Sequence, residues 1–240
     1  MIHRPALELA VPRFEQPDDV TCGPTCLLQV LRFYGDQVPF DRLLALTSQN
    51  PDGGTLAVYL ALTARQLGYA TRIHSFNLRV FDPTWAALEP PALAAKLRAR
   101  AKATSDAKVW AACRAHADLI DTGGQVALVE LTPDLMIDIL ERGHPVLCGL
   151  NATYLYRQAR ERPNDNEEDD VAGEPVGHFL VVCGHRDGGA HFTVRDPAKH
   201  VPYSKDGTYD VEAPRLINAI HLGIVSFDAV LLELWPEARG

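Results

Sequence analysis

The sequence predicts an α+β fold, on three observations. Residues 1–75 carry apolar side chains mainly at helical spacing, the second half carries apolar runs bounded by turn residues, and a strong hairpin signal joins two of those runs. Helices come first and a largely antiparallel sheet follows, which sets the pattern apart from a doubly wound one. The 240 residues are 47% hydrophobic and 22% charged, ordinary globular composition with enough chain for a sizeable core. One domain over 1-240 is expected, with a helical insertion at about 77-125 and an acidic loop at about 157-171.

Taken in order, Cys22 to Gly35 reads as a helix: Pro24 suits the first helical position, Leu27, Val30, Leu31 and Tyr34 fall at 3,4 spacing, and Gly35 is the stop. Further helices are expected from about Phe40 to Leu46 and from about Thr55 to Leu67, with Gly68 ending the latter before a strand over Tyr69 to His74. Pro83, Pro90 and Pro91 then precede an Ala/Arg/Lys-rich helical stretch over Ala92 to Ala117. Val126 to Leu131 reads as a strand, Thr132-Pro133 opens a helix to Arg142, and Pro145 to Leu150 is the next strand. Arg157 to Asp170 holds nine charged residues in fourteen and should be a solvated or mobile loop. His178 to His185 and His191 to Asp196 flank Arg186-Asp-Gly-Gly-Ala190 as a hairpin, and Ala229 to Trp235 adds an apolar strand.

The formal charge of −8 opposes broad attachment to phosphate backbones or anionic lipid, so neither nucleic acid nor membrane is expected as a partner. The N-terminus lacks the apolar core of a signal peptide and no apolar run is long enough to span a bilayer, so a soluble, cytoplasmic protein is expected. Five cysteines, an odd number scattered over a long chain, suit reduced thiols.

A thiol becomes a useful nucleophile when its thiolate is favoured, which a helix N-terminus and a neighbouring imidazolium both promote. Cys22 has the first of these, whereas Cys26, one turn further in, should pack as a small apolar residue. Residues of an antiparallel hairpin face each other when their numbers are symmetric about the turn. His178 and Asp196 are symmetric about Asp187, so a loop centred there sets them side by side, where a carboxylate holds and polarises an imidazole.

These residues resemble a known family. Gln16-x5-Cys22-Gly23, the helix ending Phe-Tyr-Gly35, the Gly54-Thr55 helix ending Leu67-Gly68-Tyr69, and Gly177-His178-Phe-Leu-Val-Val182 with Asp196-Pro197 look like the papain-fold cysteine peptidases of family 39, the bacteriocin-processing double-glycine peptidases and their stand-alone relatives. The resemblance covers roughly 10–75 and 130–235. It implies a papain-like fold with Gln16 as oxyanion donor, Cys22 as nucleophile, His178 as base and Asp196 as its orienter. The 156 positions from Cys22 to His178 are about twice what the transporter-linked peptidases need, and no membrane segment or nucleotide-binding signature follows. Transporter-type specificity is therefore not expected.

Other chemistries were weighed. His178, Cys183, His185 and His191 could bind zinc, but strand alternation sets His178 opposite Cys183 and His185. Cys113 and His116 share a helix face without a second pair. Lys96, Arg98, Arg100, Lys102 and Lys108 read as a solvated helix face, and neither Asp52-Gly-Gly-Thr55 nor Asp187-Gly-Gly189 is a phosphate loop. The expectation is a cysteine peptidase acting on a peptide or protein substrate without cofactor or metal. An acyl transferase or transpeptidase with an amine acceptor, and a catalytically silent peptide-binding domain, are the alternatives.

Overall fold

The computed structural model describes residues 4–50, 54–227 and 229–237, so most of the Asp52-Gly-Gly segment lies outside it. Its first half supplies β1 (Leu7–Glu8), α1 (Cys22–Phe33), α2 (Phe40–Leu46), α3 (Ala57–Gln66), β2 (Tyr69–Ser75), α4 (Pro90–Ala103) and α5 (Ala107–Asp121). Then follow β3 (Gln125–Ala127), α6 (Pro133–Glu141), β4 (Val146–Asn151), α7 (Ala152–Tyr156), β5 (Gly177–Arg186), β6 (His191–Arg195), β7 (Thr208–Glu212), α8 (Ala213–Leu222) and β8 (Val230–Pro236). The described strands form one sheet in the order β3-β2-β8-β4-β5-β6-β7, with β1 added to β5. Each pairing is antiparallel except β2 with β3. The α+β class is the one the element order predicts.

The sheet buries both faces, which explains why its central strands are apolar almost throughout rather than alternating with polar residues. Leu147, Phe179, Val181 and Leu232 join the core beneath α1, α3, α4 and α5. Their neighbours Cys148, Leu180, Val182 and Leu231 join a second core beneath α6, α7 and α8. Glu233 is a charge inside this sheet. Burial works against its ionisation, but hydrogen bonds from His144 (2.7 Å), His74 and Arg142 hold its carboxyl well below the usual carboxylate range.

Several local expectations are corrected. The Ala92 to Ala117 stretch divides between two helices, because Asp106 caps α5 by accepting the Val109 N–H at 3.0 Å. The strand expected over Val126 to Leu131 shrinks to β3. Helix α1 begins at Cys22, two residues before Pro24, which is tolerated in a first turn whose N–H groups have no helical partner. The acidic loop is closed on itself: Asp169 accepts the Val171 and Ala172 N–H groups, Arg162 grips Asp165 with two nitrogens, and Glu161 bridges to Glu174.

Candidate active site

Cys22 is the first residue of α1, half-buried against the core, with its backbone at the positive end of the helix. Gly23 explains how α1 approaches the segment leading into α3 so closely: a Cβ there would lie 2.5 Å from Thr55 Cγ2 and 3.2 Å from Leu60 Cδ1. Cys26, one turn on, is fully buried, and burial followed by the proximity of Cys22 pushes its thiol pKa far up.

His178 and Asp196 meet by a route the spacing did not foresee. Arg186 pairs with His191, His185 with Phe192 and Gly184 with Thr193; at Cys183 the register slips, so that Val182 meets Val194 and Val181 meets Arg195. Continued one step past the last pair, this register sets Asp196 opposite Leu180, two residues from His178. The expected side-by-side pair is therefore a diagonal one. Without the slip Asp196 would oppose Val181 and point to the other face, because side chains alternate along a strand. With it, His178 Nε2 lies 2.9 Å from Asp196 Oδ1. The same slip corrects the metal argument, since His185, paired with Phe192, returns to the face of Leu180 and Val182. Among the described residues no three His, Cys, Asp or Glu side chains group as metal ligands.

Asp196 is completely buried and fully bonded: Oδ1 also accepts the Ala198 N–H at 3.0 Å, and Oδ2 accepts the hydroxyls of Tyr156 (2.7 Å) and Tyr209 (2.8 Å). Burial opposes its charge, but His178, Tyr156 and the Ala198 amide outweigh burial and keep its carboxyl below the ordinary value. Burial likewise opposes a charged His178. The Asp196 carboxylate and then the nearby Cys22 thiol prevail and raise His178 to about 10. Nε2 faces Asp196, which leaves Nδ1 for the sulfur.

Gln16 is buried, and its main-chain N–H donates to Pro197 O at 2.8 Å, tying the segment before α1 to the residue after Asp196. Its side-chain Nε2 donates to Asp18 O at 2.7 Å, while Oε1 has no partner among the described residues. Gln16, Tyr156 and His178 line one cavity of about 470 Å³, with Asp19 and Glu161 on its wall. The two tyrosines are the residues that sequence reasoning missed. Tyr209 pairs with Val194, so recognising β7 would have set it on the face of Asp196, whereas Tyr156 ends a five-residue helix with no periodic signal.

A thiol at a helix start, an imidazole and a buried carboxylate are the groups this part of the fold brings together. The chain resembles the Peptidase C39 family, whose family model matches residues 11–99. That stretch contains Gln16 and Cys22 and stops short of His178 and Asp196. No curated protein matches the chain. Similar solved structures include a double glycine motif protease from an AMS/PCAT transporter in complex with the leader peptide (16% identity, 95% of this chain and 94% of that one, TM-score 0.44). They also include the peptidase domain of Streptococcus ComA, a bifunctional ABC transporter involved in a quorum sensing pathway (15%, 95% and 99%, 0.47). A third, from Bacillus anthracis, is described as a C39-like peptidase (14%, 98% and 100%, 0.48). Among the described residues no helix is long and apolar enough to cross a membrane.

Proposed function

We propose that the chain cleaves peptide bonds through a covalent thioester at Cys22. The contact that carries this reading is the 2.9 Å bond between His178 and a fully buried Asp196, because such a carboxylate fixes an imidazole whose other nitrogen serves the sulfur. The Cys22 proton passes to His178 Nδ1 while sulfur attacks the carbonyl carbon. The tetrahedral intermediate collapses by breaking C–N, and His178 returns the proton to the leaving amine. Water then attacks the thioester, giving its proton to His178, and the thiol is restored. The intermediate's oxyanion is met by the Cys22 backbone N–H at the start of α1 and by the Nε2 hydrogen of Gln16 that Asp18 does not take. Each such donor is worth about a hundred- to a thousandfold in rate.

The test is product mapping by mass spectrometry on a peptide library, wild type against Cys22→Ala, with iodoacetamide labelling at mildly acidic pH alongside. Cys22 is expected to label first and His178→Ala to slow it. The other four thiols are buried, and burial pushes Cys113 up to about 11 and Cys183 up to about 12. Products that persist in Cys22→Ala, or faster labelling of another cysteine, would refute the assignment.

A further inference from the structure

A second cavity lies beside the candidate active site. It measures about 740 Å³ and runs between α7, α8 and the turn after α8. Thr153 lines both this cavity and the one that holds His178, so the two lie side by side. Its walls combine two features. Tyr154, Leu222 and Val225, all among the few large apolar side chains exposed in the protein, face it together. Three guanidiniums, of Arg157, Arg160 and Arg215, meet there against a single carboxylate, Glu212.

In a chain of net charge −8, this is a local excess of positive charge, three guanidiniums to one carboxylate on the cavity wall. Arg160 donates to the backbone carbonyls of Asp170 and Val171, and Asp169 feels its charge. Arg157 and Arg215 have no carboxylate partner among the described residues; Arg215 rests over the Tyr203 ring, 5.8 Å from its centroid. Arg157 also holds a left-handed backbone conformation (φ 56°) at the end of α7, a position that glycine fills without strain. The cavity that holds His178 is mixed in charge, with Asp19 and Glu161 on its wall beside Lys199 and His200.

We propose that the groove recognises the substrate: a peptide whose acidic side chains pair with Arg157 and Arg215 and whose apolar side chains cover Tyr154, Leu222 and Val225, a few residues removed from the bond at Cys22. Guanidinium forks suit carboxylates, and the exposed apolar side chains supply the area that ion pairs at a surface lack. This rests on the peptidase reading, but its test does not need turnover.

Binding is read by fluorescence anisotropy on Cys22→Ala protein. The probes are an end-labelled peptide library with Leu and Glu at randomised positions and its Gln-for-Glu counterpart. Glu peptides are expected to bind about tenfold tighter at low salt, with the margin shrinking as salt rises. Adding Arg157→Glu and Arg215→Glu should erase the margin, while Arg157→Lys and Arg215→Lys should keep most of it; unchanged thermal midpoints report intact folding. Equal binding of the two libraries, no binding of either, or a margin that survives the charge reversal would overturn the proposal. A margin that stands while no library peptide is cleaved by the wild type would leave the groove assigned and remove the peptidase reading alone.

Discussion

Replacing Gly23 by alanine pits two effects of known size against each other. A helix gains about 0.5–1 kcal/mol when alanine replaces an interior glycine, and less in its first turn. Against this, the new Cβ would stand 2.5 Å from Thr55 Cγ2 and 3.2 Å from Leu60 Cδ1, and overpacking of this kind costs about 1–3 kcal/mol. Thr55 cannot simply turn aside. It is buried, β-branched and donates Oγ1 to Ser48 O at 3.0 Å, a bond worth about 0.5–1.5 kcal/mol. The steric term wins, so Gly23→Ala is expected to lose about 1–3 kcal/mol in urea unfolding. Because the strain lies between the start of α1 and the segment leading into α3, it should also slow iodoacetamide at Cys22 by moving the sulfur relative to His178. Thr55→Ser removes the offending methyl and keeps the hydroxyl, so Gly23→Ala with Thr55→Ser should recover most of both losses. A Gly23→Ala protein as stable as the parent, or a double variant no better than the single, would refute this account of why glycine follows the cysteine.

His178 is raised to about 10, so its contribution is complete below its unfolded value of about 6.5 and is lost as pH rises through about 10; Asp196 is lowered, so its contribution is present above about 3.9 and is lost as pH falls through its folded value. The stability margin of wild type over His178→Gln should therefore be widest at about pH 4–6.5 and shrink toward pH 10, and a urea series showing a constant margin would contradict the pairing. Tyr209→Phe and Tyr156→Phe should each cost about 1.5–3 kcal/mol near neutral pH, the range for hydrogen bonds to a charged group. The double variant should cost more than their sum, because it leaves Oδ2 of Asp196 buried without a partner; additive losses would count against a shared site. Deleting Asn164 to Asp170 removes Asn166 from the wall of the His178 cavity but none of Gln16, Cys22, His178 or Asp196. It should change the pattern of cleaved peptides at an unchanged thermal midpoint, and identical patterns would deny the loop a role in selection.

Much of the architecture is legible because it is written in local signals. The 3,4 spacing after Cys22, the Thr132-Pro133 start and the Asp-Gly-Gly turn each specify backbone geometry within a few residues. The partnership of His178 with Asp196 could be read from the hairpin, but its register could not be read from numerical symmetry. The turn is centred beyond Asp187, and the ladder then slips at Cys183. A lone glycine inside an apolar strand, Gly184, was the available sign of that slip. Helix α8 also carried readable marks, Pro214 at its start and Leu216, Ile217 and Ile220 at helical spacing. Tyr156 belongs to another category. Its approach to Asp196 depends on how α7 settles on the second core, which is a tertiary outcome with no local code.

The slip at Cys183 makes the first described strand a remote determinant of the chemistry. Leu9 N–H donates to Cys183 O at 2.8 Å, Glu8 pairs with Gly184, and any Cβ at Gly184 would stand 2.5 Å from Leu7 O. The extra residue of β5 is thus clasped by a short segment that borders neither the thiol nor the peptide groove. Trimming residues 4–9 would release that clasp and let the hairpin drift toward uninterrupted pairing, in which imidazole and carboxylate part to opposite sides. Such a truncation should leave a protein that still captures its peptide between α7 and α8 yet turns it over poorly, a separation of grip from reactivity traced to the far end of the chain.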